Sequence, residues 1–231
     1  MRDSLVSIPV SEVFEPKKGC PICRLRNTME ERVVEYITGA AMMEPDVRME
    51  TNRQGFCHTH YRQMLGQRNR LSVALMLESH LADLEKQVFN GLPLLGKSVA
   101  RQGQSAGRAA DSCFICSQVD ATMHKMLATV CRMWEQQRDF RELFAAQESL
   151  CLPHFSLLTE ASACMDKKRQ PDFAKAAAAL CRKYLSSLRE DVSHFCKMYD
   201  YRHTGEDADW GNSRDAIERA IWWLTTRELS R

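Results

Sequence analysis

Apolar residues in this chain recur every three to four positions over most of its length, and no stretch alternates with the period of two that marks a strand. Leu25, Met29, Val33, Tyr36 and Ile37 predict a helix over 23–40, ended by Gly39 and the Pro45-Asp46 pair. Residues 41–56 read as a connector leading to Gly55. His60, Met64 and Leu65 place a short helix over 57–66. Leu71, Leu75, Leu77, Leu81, Leu84 and Val88 face inward on a longer one over 70–90, stopped by Gly91 and Pro93. Residues 96–112 hold Gly, Ser, Ala, Gln and basic side chains with little apolar bulk, the composition of a flexible linker.

The second half echoes the first. Val119, Met123, Met126, Leu127, Val130 and Trp134 predict a helix over 116–135, and a short one around 138–147 stands where the first half has its connector. A further helix is expected over 151–165. From Pro171, the residues Phe173, Ala177, Leu180, Tyr184, Leu188, Val192, Phe195 and Tyr199 mark a helix of about seven turns. Asn212 is placed to cap a last helix, with Asp215 in the capping-box position and Trp222 and Trp223 beside its apolar stripe. The predicted class is all-α. Residues 1–95 form one helical repeat, 96–112 a flexible linker, and 113–231 a second repeat with a long helix and a C-terminal docking helix. Neither repeat buries much core for its size, so the two are expected to share one.

Composition narrows the class further. At 44% apolar and 27% charged the chain is ordinary for a globular protein, which excludes a mainly disordered, collagen-like or mucin-like chain. No run approaches the roughly 18 apolar residues of a membrane span. The opening MRDSLVSIPVSEVF lacks the apolar core of a signal peptide, so a cytoplasmic location is expected. Ten cysteines are the unusual feature. In a reducing compartment such a count points to metal ligation, catalysis or buried thiols.

Spacing chooses among these. Cys20-Pro21-Ile22-Cys23 is followed after 33 residues by Cys57-His58-Thr59-His60, and Cys113-Phe114-Ile115-Cys116 after 34 residues by Cys151-Leu152-Pro153-His154. This is an internal repeat with an offset of 93 to 94 residues. Structural zinc takes four ligands in a tetrahedron, commonly three cysteines and a histidine. Two ligands three residues apart can reach one ion from a tight turn or a first helical turn, where the dipole favours thiolates. Two zinc sites are therefore expected, Cys20/Cys23/Cys57/His60 and Cys113/Cys116/Cys151/His154. His58 corresponds to Leu152 and His124 to Glu31, so neither is expected to be a ligand. Cys181 and Cys196 fall on the stripe of the long helix, and Cys131 and Cys164 have no partner at metal spacing. All four read as core thiols.

The tail brings Arg202, His203, Glu206, Asp207 and Trp210 close in sequence. They form either a polar site or a capped turn that docks the last helix with Trp210 as anchor. The CPxC and GFCxxH blocks, the second CxxC with LCxxHF, and the closing YDYR and WGNSRDAIERAI segments resemble the bacterial domain-of-unknown-function family 6062 over nearly the whole chain. That resemblance implies a bacterial, cytoplasmic protein and brings no activity with it.

The expected function is that of a non-enzymatic zinc protein, an adaptor, scaffold or regulator with two structural sites and a protein partner. A redox sensor or an iron–sulfur protein using the same ligands is the alternative. Nucleic-acid binding, suggested by Arg24, Arg26, Arg32, Lys167, Lys168 and Arg169, conflicts with charge. Each Zn²⁺ held by three thiolates changes the formal charge by −1, so two sites bring +2 to zero, without the basic footprint of such a protein. No nucleophile elbow, phosphate loop or HExxH occurs.

Overall fold

Among the residues described by the structure, a computed structural model, are 7–89, 96–199 and 209–226, and they contain eleven α-helices and no strand. These are α1 Ser7–Phe14, α2 Pro21–Thr38, α3 Pro45–Gln54, α4 His58–Gly66, α5 Arg70–Leu84, α6 Gly96–Asp111, α7 Phe114–Gln136, α8 Arg138–Ala145, α9 Leu152–Ala161, α10 Gln170–Lys197 and α11 Ala216–Thr225. Where apolar periodicity was present, a helix formed.

Three helices have no strong stripe to announce them. The expected connector 41–56 contains α3, whose buried Thr51 is its main inward residue. It is held by polar contacts. Arg48 donates to the Leu75 carbonyl, Ser79 Oγ to Asn52 Oδ1 at 2.7 Å, and His80 Nδ1 meets the Asn52 carbonyl at 2.7 Å. The expected flexible linker 96–112 is α6, because its alanines, Arg101, Gln102 and Arg108 are good helix formers that outweigh Gly103 and Gly107. Gln102 Nε2 ties it to the Val88 carbonyl at 2.7 Å. α1 is short, with Val10 and Phe14 fully buried.

Some faces also differ from expectation. α5 buries Val73, Met76 and His80, and leaves Leu71 and Leu81 exposed, because its contacts to α3 run through Ser79 and His80. Asn212 does not cap the last helix. Asp215 occupies the N-cap position of α11, and its carboxylate accepts from Arg219 Nε at 2.9 Å instead. Of the four thiols read as core, Cys131 alone is fully buried. Cys181 is half-buried, while Cys164 and Cys196 are exposed.

The compact units do not follow the repeat boundaries. One unit takes the chain up to Arg26 and from Met123 onward, and the other is Asn27–Thr122, inserted between those parts. Unit 1 is organised around aromatic rings. Phe14 packs on Phe140 at 5.0 Å and Phe144 at 5.9 Å, and Phe173 on Phe144 at 5.6 Å and Trp134 at 5.3 Å. Gln147 Nε2 donates to the Phe14 carbonyl at 2.7 Å, and Arg24 Nε to the Val13 carbonyl at 2.9 Å, which fixes α1. Arg219 joins α11 to α10 through Asp191 at 3.0 Å. Unit 2 is organised around α3 and α5. Asn69 caps α5 by accepting from Ser72 N at 3.2 Å and donates to the Thr38 carbonyl at 2.8 Å.

Candidate metal centres

All four short motifs are built alike. Cys20, Cys57, Cys113 and Cys151 each stand immediately before a helix, and each carbonyl accepts the first helical hydrogen bond, from Arg24, Tyr61, Ser117 and Phe155 respectively. The second ligand of each motif lies three residues on, in the first turn. Each pair therefore flanks a helix N-terminus, whose unpaired N–H groups and positive dipole end favour thiolates.

The structure brings these pairs together as two clusters. Site 1, in unit 1, is Cys20, Cys23, Cys151 and His154. Site 2, in unit 2, is Cys57, His60, Cys113 and Cys116. All eight expected ligands fall within these two clusters, but not in the grouping expected within each repeat. Each CxxC meets the CxxH of the other repeat. Hydrogen bonds show what selects this pairing. The Gly55 carbonyl accepts from Phe114 N at 2.9 Å, and Gln54 accepts at its carbonyl from Ser112 Oγ at 2.6 Å and at Oε1 from Ser117 Oγ at 2.8 Å. Glu148, the repeat counterpart of Gln54, accepts from Gly19 N at 2.5 Å.

The donor atoms fit a tetrahedral ion. In site 1, His154 Nδ1 lies 3.0 Å from Cys151 Sγ, 3.3 Å from Cys23 and 3.6 Å from Cys20, and Cys23 and Cys151 are 3.8 Å apart. In site 2, His60 Nδ1 lies 3.1 Å from Cys57, 3.2 Å from Cys113 and 3.5 Å from Cys116. Every ligand atom in each cluster is within 4.8 Å of the others. Zinc with sulfur at about 2.3 Å and nitrogen at about 2.1 Å gives tetrahedral edges of about 3.8 Å and 3.6 Å.

The surroundings differ between the sites. His60 turns Nε2 to Glu30 Oε1 at 2.5 Å, a carboxylate contact that holds the proton there and leaves Nδ1 for the thiols. At site 1, the Leu150 carbonyl beside Cys151 accepts from Trp223 Nε1 at 3.0 Å and Cys181 Sγ at 3.2 Å. Burial lowers the Arg24 guanidinium, and the nearby Cys20 and Cys23 sulfurs offset that only in part.

Titration expresses the crowding of the sulfurs. Burial opposes ionisation of Cys113, but His60 together with the backbone N–H groups of Cys116 and Cys57 outweighs it and lowers the thiol to about 6. Burial and then the Cys113 thiolate push Cys116 up to about 12. Burial works against the His60 imidazolium, yet Cys113 and Glu30 raise it to about 10. In site 1, burial is outweighed by bonds from Cys151, Cys23 and His154, and Cys20 falls well below the ordinary thiol value. Cys23 is pushed far up, first by Cys151 and Cys20. One thiolate thus suppresses its neighbours, a repulsion that a divalent cation relieves.

In the tail, Trp210 packs against Phe195 at 5.7 Å and Tyr199 at 6.0 Å, with the Arg214 guanidinium 6.0 Å above its ring, which makes it a docking contact. Arg202, His203, Glu206 and Asp207 lie outside the described residues. Neither His58 nor His124 joins a cluster. The sequence reading missed the supporting residues Glu30, Gln54, Glu148 and Trp223.

Among the described residues, no helix is long and apolar enough to cross a membrane. Comparison with curated proteins and with solved structures gives no match. The family of unknown function DUF6062 matches residues 1–230, and the chain belongs to that family.

Proposed function

We propose that this is a non-enzymatic zinc protein with two structural Cys3His sites, acting as a regulator or scaffold for a protein partner in a compartment that keeps thiols reduced. One observation carries the reading: each site offers four protein ligands at tetrahedral spacing. Four protein ligands fill a zinc coordination sphere and leave no position for water or substrate. Each ion would tie two helix N-termini together, α2 to α9 in site 1 and α4 to α7 in site 2, and so couple metal binding to folding. The short edges also favour a single ion over a multinuclear iron–sulfur cluster, whose terminal ligands are spread over several irons. Exposed apolar side chains such as Met43, Leu71 and Phe89 are available for a partner to cover.

Elemental analysis of the full chain tests the reading. Two zinc ions per chain are expected, with loss of cooperative thermal unfolding after chelation. Fewer than one zinc per chain in a fully reduced preparation, or a visible iron–sulfur absorption band, contradicts it.

A further inference from the structure

Solvent reaches different thiols at the two sites. In site 1, Cys20 and Cys151 are 1% and 0% exposed, and Cys23 is the one half-buried sulfur. In site 2, Cys113 is buried, but both Cys57 and Cys116 are half-buried. These two lie on different helices, Cys57 before α4 and Cys116 in the first turn of α7, with sulfurs within 4.8 Å of each other. A disulfide bond is about 2.05 Å long, so the pair closes by a movement of roughly 3 Å at most. A disulfide in site 1 must include a fully buried sulfur. There the Leu150 carbonyl, beside Cys151, is also held by Trp223 and Cys181.

We propose that Cys57 and Cys116 form an oxidation site, which a hydroperoxide converts to a disulfide with discharge of the site 2 metal while site 1 keeps its own. The proposal rests on the zinc reading. One thiolate sulfur attacks a peroxide oxygen, the O–O bond breaks, and the leaving hydroxide takes a proton to become water. This leaves a sulfenic acid on that cysteine. The second thiolate attacks the sulfenic sulfur, the S–O bond breaks, and the expelled hydroxide takes a second proton. The two sulfurs together lose two electrons, hydrogen peroxide gains them, and two waters form. Cys113 and His60 remain as two ligands, which do not satisfy a tetrahedral ion. The tie between α4 and α7 is then carried by the covalent bond in place of the metal.

The test uses full-length, zinc-loaded protein and one equivalent of hydrogen peroxide after the exposed Cys164 and Cys196, which belong to neither cluster, are changed to Ser. Released zinc is followed with a chromogenic chelator, and disulfides are mapped by mass spectrometry. The expected result is one zinc released several-fold faster than the second, a Cys57–Cys116 cross-link, and recovery of the ion after thiol reductant and zinc. Release of both ions at one rate, no release, or a first cross-link between any other pair overturns the proposal. A preparation that lacks two zinc ions before peroxide contradicts the zinc reading. A two-zinc preparation that fails the peroxide step contradicts this proposal alone.

Discussion

Sites 1 and 2 share a ligand set, a helix-start construction and the same histidine nitrogen, yet almost nothing around them corresponds. Arg24 beside site 1 has Ser117 as its repeat counterpart, and Glu30 behind His60 corresponds to Met123. Pro21, the counterpart of Phe114, has no N–H, so the bond from Phe114 to the Gly55 carbonyl has no equivalent at site 1. Gly55 adopts φ +60°, and a Cβ there would sit 2.6 Å from His80 Nε2. Its counterpart Ser149 is fully buried with a side chain. The repeat preserves the coordination chemistry and lets the support diverge. Site 1 is fastened into an aromatic core and by α11, and site 2 is fastened by a carboxylate and a glycine turn.

Variants that respect or cross the exchanged pairing give the largest effect. Cys20→Ala and Cys151→Ala should each remove the same ion, and the double variant should remove no more, leaving one zinc per chain by elemental analysis. Cys20→Ala with Cys57→Ala should remove both ions, although the repeat boundary would place those residues in one site.

Acid should separate protons from metal at site 2. His60, raised to about 10, and Cys116, raised to about 12, both carry protons near neutrality and must give them up to bind an ion. Protons therefore compete with the metal, and affinity should rise with pH. With at least these two protons displaced, competition titrations between about pH 7 and about pH 9 should show a gain of at least about a hundredfold per unit. A slope near zero would contradict those protonation states.

Gly55→Ala combines a left-handed backbone with a clash against His80, and should destabilise unit 2 by about 2–4 kcal/mol in denaturant unfolding. Ser149→Ala in the counterpart position should be near neutral or stabilising, since its hydroxyl is buried without a partner. Glu30→Gln should weaken zinc at site 2 by about 10–100-fold and leave site 1 unchanged in chelator competition. Trp223→Phe keeps a ring but leaves the Leu150 carbonyl without that donor, and should cost about 1 kcal/mol in thermal unfolding of unit 1.

The sequence revealed as much as periodicity and ligand chemistry can carry. α2, α7 and α10 have bulky apolar residues at helical spacing, and the eight ligands have fixed identities and intervals, so both were legible. α3 was not, because its sequence PDVRMETNRQ offers no stripe and its position depends on Asn52 and Arg48 meeting α5. α6 was hidden by the absence of bulk. The ligand grouping was hidden for a different reason. Both groupings give two Cys3His sets, and spacing cannot distinguish them. The contacts that do, from Gln54 and Glu148 to the opposite CxxC turns, join residues 58 and 129 positions apart.

The exchanged grouping is the central claim, and cadmium-113 NMR of the cadmium-loaded protein reads it most directly, through couplings from each metal to the β-protons of its cysteines. One metal signal should correlate with Cys20, Cys23 and Cys151, and the other with Cys57, Cys113 and Cys116. A signal that correlates with Cys20, Cys23 and Cys57 together would contradict the account.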